Sequence, residues 1–160
     1  MVNLDRIANF NAGKGRLLEV KVKRQDAMRG RLRTVAPDGE DLIINLPRGK
    51  VINEDDVFGP SATGSYYKML IEPELVVKVT LKNPENPNRL ENAIKLGYNL
   101  GNRHLEVLIE DGVVYVPVTI GEEKVKKILD TMNLPIRYES IQKVISTTAA
   151  GYHAGEEEEV

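Results

Sequence analysis

Apolar and polar residues follow two different periods along the chain, and the change between them divides it near residue 72. Before that point the pattern predicts strands. Residues 18–23 alternate Leu, Glu, Val, Lys, Val, Lys, the period of a half-buried strand. Residues 29–35 form a second candidate strand, and Leu42, Ile43, Ile44 and Leu46 mark its return. Between them lies Ala36-Pro37-Asp38-Gly39-Glu40, where proline presets φ and glycine accepts a positive φ, so the two strands read as a hairpin. A turn at Pro47-Arg48-Gly49, a short strand at 51–52 and apolar stretches at 57–58 and 66–71 complete an expected N-terminal all-β domain over residues 1–72.

Beyond Glu72-Pro73-Glu74 strands alternate with helices. Residues 75–81 are rich in β-branched side chains and predict a strand. Asn86-Pro87 then offers a helix cap and a proline at the first helical position. Leu90, Ala93, Ile94 and Gly97 recur at helical spacing, so this face is expected to pack. Gly101 is expected to end the helix with a positive φ. A strand over 104–110 follows. Its alternation would bury Leu105, Val107 and Ile109 and turn His104 outward with Glu106, Leu108 and Glu110. Asp111-Gly112 signals a two-residue hairpin into 113–118. Thr119 and Glu122 have capping-box spacing, and Val125, Ile128, Leu129 and Met132 form the core stripe of a second helix. Pro135 ends that helix and a last strand begins at 136. The order over 74–145 is β-α-β-β-α-β, which predicts a ferredoxin-like sheet with both helices on one face. The fold class is therefore a two-domain α+β protein, followed by a flexible acidic tail over 146–160.

Composition narrows the chemistry. There is no cysteine, which removes disulfides, thiolate ligands and cysteine nucleophiles together. A net charge of −2 gives no electrostatic case for nucleic acid. Arg29, Arg31 and Arg33 would share a strand face, but aromatics are not interleaved with them and acids lie nearby; a solvated face or a protein-docking surface suits them better. No segment approaches the ~20 apolar residues of a membrane span, nor does the N-terminal stretch have the apolar run of a secretory leader, so a cytoplasmic location is expected. Gly13-Lys14-Gly15-Arg16 lacks phosphate-loop spacing, and no nucleophile-base set is visible. An enzyme is not expected.

The two histidines, His104 and His153, are the residues with distinctive chemistry. The run Leu100-Gly101-Asn102-Arg103-His104 resembles the signature of UreE, the family of nickel-carrying urease accessory proteins. Arg29-Gly30-Arg31-Leu32-Arg33-Thr34, Leu46-Pro47-Arg48-Gly49, Val114-Tyr115-Val116-Pro117 and Gly151-Tyr152-His153 extend the resemblance over nearly the whole chain. It implies that His104 is a metal ligand, that the metal is Ni²⁺, with Zn²⁺ or Cu²⁺ as substitutes, and that the partners are apo-urease, the urease accessory GTPase and its associated accessory proteins. It also implies a possible peptide-binding role for the N-terminal domain. Some members carry histidines where this chain has Asn99 and Val118-Thr119-Ile120, or a histidine-rich end where this chain has Glu156-Glu157-Glu158-Glu159. High-capacity nickel storage is therefore not expected.

Two histidines per chain are too few for a firm site in one molecule, because borderline metals seek several nitrogen ligands. A homodimer changes the count. A residue near a twofold axis meets its own copy, so two His104 and two His153 would supply up to four imidazoles. Imidazole ligates only when neutral, so affinity at such a site falls as the pH drops through the range in which free histidine protonates. The alternative reading is a scaffold or peptide-binding co-chaperone of the urease assembly complex, with metal binding incidental.

Overall fold

The computed structural model describes residues 2–11 and 13–147. The chain forms two compact units. One comprises Met1–Glu72 with Val144–Thr148, and the described part of the other is Pro73–Lys143. Strands and helices occur in both, so the protein is mixed α+β.

The first unit contains seven strands and one helix: β1 (Val2–Asn3), β2 (Arg6–Ile7), β3 (Leu17–Val22), α1 (Arg24–Arg29), β4 (Arg31–Val35), β5 (Asp41–Asn45), β6 (Val57–Phe58) and β7 (Tyr66–Ile71). They form a three-stranded sheet in the order β1-β5-β4 and a four-stranded sheet in the order β2-β6-β7-β3. The alternation expected at 18–23 is present: Val20 and Val22 are buried, while Glu19 and Lys21 are exposed. On β7 the same alternation buries Tyr67, Met69 and Ile71. These pack with Leu42, Ile44, Ile52 and Phe58 in one aliphatic-rich core. Tyr67 is wholly buried, with its hydroxyl donating to Asp38 at 3.0 Å. Burial is the chief reason its pKa lies above the ordinary tyrosine value, and the bond to Asp38 adds to the shift.

The expectation of an all-β first domain needs correction. Arg24–Arg29 is helical, and Arg29 closes that helix rather than opening a strand. Gly30 ends it at φ 65°, where a side chain's Cβ would lie 2.3 Å from the Lys50 carbonyl oxygen. A six-residue helix with one fully buried apolar residue, Ala27, leaves no helical stripe in the sequence. The hairpin that follows does match its turn chemistry, with Arg31 opposite Asn45 and Val35 opposite Asp41.

The second unit runs β8 (Glu74–Leu81), α2 (Arg89–Asn102), β9 (Leu108–Glu110), β10 (Val113–Pro117), α3 (Glu122–Asp130) and β11 (Ile136–Lys143). Its sheet has the order β11-β8-β10-β9, with every neighbouring pair antiparallel. Val77, Val79 and Val116 meet Leu96 and Leu100 of α2 and Val125 and Leu129 of α3 in a single core. Asp111 and Gly112 both have positive φ, 49° and 75°, as a type I′ hairpin requires.

Several local expectations change here. Helix α2 begins at Arg89, after a turn in which the Asn86 side chain accepts from the Asn88 amide at 2.9 Å. Its buried residues are Leu96 and Leu100, whereas Leu90 and Ile94, expected to pack, are 74% and 62% exposed. The sequence offers two apolar stripes on α2, and the sheet takes the one with two leucines. Thr119 does not cap α3, whose N-cap is Gly121. Glu122 instead accepts from Lys126 at 2.8 Å and from the Ser140 hydroxyl of β11. The Lys126 bond, then the Ser140 bond, hold its carboxyl below the usual range.

Candidate metal site

The site is built by the way α2 ends. Gly101 stays helical, and the left-handed residue is His104, at φ 54°. The His104 amide donates to the Gly101 carbonyl at 2.9 Å, and the Leu105 amide reaches back to Leu100 at 3.2 Å. These two bonds are the Schellman closure of a helix, with His104 at the position glycine usually fills. The apolar contact that accompanies such a closure is also present, because Leu105 and Leu100 both belong to the second unit's core. Leu105 thus pins one side of the turn while the His104 side chain is exposed. For a residue with a Cβ this backbone conformation costs about 1 kcal/mol.

His104 is therefore outward-facing for a reason other than strand alternation. Residues 104–107 are not strand, and β9 begins only at Leu108. The expected parity is reversed within it: Leu108 is buried and Ile109 is 65% exposed. The end of the helix, already fixed by Leu105, sets the direction of the imidazole, and β9 is too short to impose an alternation on it.

On α2, Leu90, Ile94 and Tyr98 lie four residues apart, and all three are exposed, Tyr98 at 71%. Gly97 and Gly101 lie near this stripe, and a Cβ at either would meet nothing within 4 Å. An apolar face thus runs along the helix that ends at His104. Tyr98 continues the four-residue spacing of Leu90 and Ile94, and that spacing is the signal that places it in this stripe rather than with Ala93 and Gly97.

Among the described residues, no three histidine, aspartate or glutamate side chains cluster closely enough to hold a metal. His153 lies outside the described residues. Asn99 donates its side-chain amide to the Lys95 carbonyl at 2.7 Å. Taken alone, the described chain presents one exposed imidazole on a rigid turn.

No family model matches the chain. Curated relatives do. A urease accessory protein UreE of Prochlorococcus marinus (strain MIT 9215) is 30% identical over 97 residues, 61% of this chain and 59% of the relative. UreE of Natronomonas pharaonis is 28% identical over 127 residues, covering 79% of this chain and 58% of the relative. The chain is related to the UreE urease accessory proteins. UreE of Edwardsiella ictaluri is more distant, at 23% identity over 128 residues, 76% of this chain and 57% of the relative. The matches span less than two thirds of these UreE relatives' length. The relatives are named for an accessory role rather than for a reaction. Among the described residues no helix is long and apolar enough to cross a membrane.

Proposed function

We propose that the chain is a nickel metallochaperone that delivers Ni²⁺ to apo-urease during assembly of the urease active site. The observation that carries this reading is the placement of His104: exposed, on a left-handed turn, at the end of a helix with an uncovered apolar stripe. If that stripe packs against its own copy about a twofold axis, the two His104 side chains approach each other. His153 from each chain would then raise the imidazole count toward what nickel prefers, and Zn²⁺ or Cu²⁺ can use the same ligands. A site on an exposed interface suits a carrier, which has to give up its cargo. In this reading residues 1–72 together with 144–148 are a partner-binding domain, residues 74–143 a ferredoxin-like metal-binding domain and the residues after 148 a ligand-bearing tail. The helices between its strands and the strand order β11-β8-β10-β9 support the ferredoxin-like assignment. The expected partners are apo-urease and the urease accessory GTPase with its associated proteins, in the cytoplasm.

Nickel titration calorimetry on the intact protein and on His104→Ala, with mass measured in solution, tests the proposal. About one tight Ni²⁺ per two chains is expected, lost in the variant. Unchanged binding in His104→Ala, or no binding in the intact protein, rules the site out.

A second reading, a peptide-binding scaffold for urease assembly, draws on β4. Among the described residues this strand pairs only with β5, leaving its other edge beside exposed Arg31, Arg33 and Val35, which an extended peptide could extend by backbone pairing. Loss of apo-urease binding when β4 is altered, with nickel binding intact, favours this role.

A further inference from the structure

The two edges of the second unit's sheet differ. One edge is β9, only three residues long. The other is β11, eight residues long, and all eight pair with β8 in unbroken register, from Ile136 opposite Leu81 to Lys143 opposite Glu74. Among the described residues no strand pairs with the outer side of β11. Long edges are commonly blunted by proline, a bulge or a cover, and β11 contains neither proline nor bulge. Its outward backbone groups follow from two bonds. The Lys82 amide donates to the Pro135 carbonyl at 2.8 Å, and the Val118 amide to the Leu75 carbonyl at 3.3 Å. Antiparallel ladders bond at alternate pairs, so even-numbered residues of β8 bond to β11 and odd-numbered ones to β10. On β11 the odd-numbered residues are therefore bonded inward, and the N–H and C=O of Tyr138, Ser140 and Gln142 face the open side.

Charge marks the same strand. A groove of about 470 Å³ is lined by Lys78, Thr80 and Lys82 and, across the ladder, by Arg137 and Glu139. The register sets Arg137 opposite Thr80 and Glu139 opposite Lys78, and Lys78 and Glu139 face each other at 4.0 Å. Arg137 and Lys82 are in no ion pair among the described residues, whereas Lys143, farther along β11, pairs with Glu110 at 3.0 Å. Ile136 and Tyr138 turn to the core with the helices, which leaves Arg137 and Glu139 on the opposite face of the sheet. We propose that β11 accepts an extended acidic peptide of a partner protein as a further strand. The peptide's main chain bonds to Tyr138, Ser140 and Gln142, and its carboxylates, at alternate positions, face Arg137 and Lys82. The two cations decide the occupant. A basic strand is repelled there, an apolar one leaves both cations unpaired, and an acidic one pairs across the edge. The site uses neither histidine and no metal, so it is independent of the nickel reading.

The test uses the full chain without added metal. The probe is a short synthetic peptide alternating valine and glutamate, blocked at both ends, with binding followed by amide NMR. On titration the amide signals of residues 138, 140 and 142 should shift, and their hydrogen exchange should slow. Lys82→Glu with Arg137→Glu should weaken binding about tenfold, and a peptide alternating valine and lysine should bind that variant in preference to the parent protein. The contact should weaken at ~1 M salt. Methylating the peptide's backbone amides should abolish it, because main-chain pairing and not charge alone holds the strand. No change at 138, 140 and 142 overturns the proposal. So does equal binding of the methylated peptide, equal binding of both peptides by the charge-reversed variant, or a response centred on Arg31 and Arg33 of β4. Slow exchange at these amides in the peptide-free protein, lost on dilution, assigns the edge to a second copy of the chain and also overturns it.

Discussion

The turn at His104 sets two demands against each other. Glycine satisfies the backbone there without strain, and an imidazole does not. His104→Gly should therefore stabilise the second unit by about 1 kcal/mol, raising its unfolding midpoint by a few degrees, while abolishing nickel binding. A lower midpoint by calorimetry would contradict this account of the turn. Tyr67 gives a second residue-scale expectation. Its folded pKa is raised, chiefly by burial, so the unfolded chain ionises first as the solution becomes alkaline. The stabilisation from keeping this phenol neutral is complete below the unfolded pKa and is lost as pH rises through the folded one. Stability should therefore fall above about pH 10, and Tyr67→Phe should flatten that fall in denaturant titrations at successive pH values. His104 and its outward direction were legible in the sequence, but the mechanism was not. The sequence signals a glycine stop at Gly101, whereas the Leu100–Leu105 contact moves the left-handed position three residues on.

Helices show what periodicity can and cannot decide. On α3 one apolar stripe exists, and its Val125 and Leu129 are the buried residues. On α2 the sequence holds two, Leu90/Ile94/Tyr98 and Leu96/Leu100. Spacing alone does not say which meets the sheet, and the expected choice was the exposed one. α1 leaves no periodic signal because its six residues bury little apolar surface, and the alternation that marks β9 runs back into the turn before it, so the strand is shorter than its pattern. The uncovered stripe of α2 makes a direct prediction. Ile94→Asp with Tyr98→Ser should leave the fold of the second unit intact, since both side chains are largely solvent-exposed. If the proposed dimer forms through this stripe, the same pair halves the mass in solution and removes the nickel held between the two chains. A double variant that still sediments as two chains would move the interface elsewhere.

Across the molecule, the division near residue 72 was visible as a change of hydrophobic period. The return of the chain to its starting unit was not, because Val144–Thr148 carries no pattern of its own. Ile145 is buried, and the Thr147 hydroxyl donates to the Ile52 carbonyl at 3.0 Å and lies 3.1 Å from the Asn53 side-chain oxygen. Thr147→Val should remove that fastening and cost the first unit about 1 kcal/mol, read as a lower denaturation midpoint for that unit with the second unchanged.

This return also orders events as the chain is made. Domains generally fold as units, the N-terminal one first during synthesis. Here the first unit has to wait, because the whole of Pro73–Lys143 must be translated before Val144–Thr148 can join it. A nascent chain paused after β11 would hold every described strand and helix of the second unit while the first unit still lacked its closing segment, with the Ile145 site open to solvent or to a holding factor.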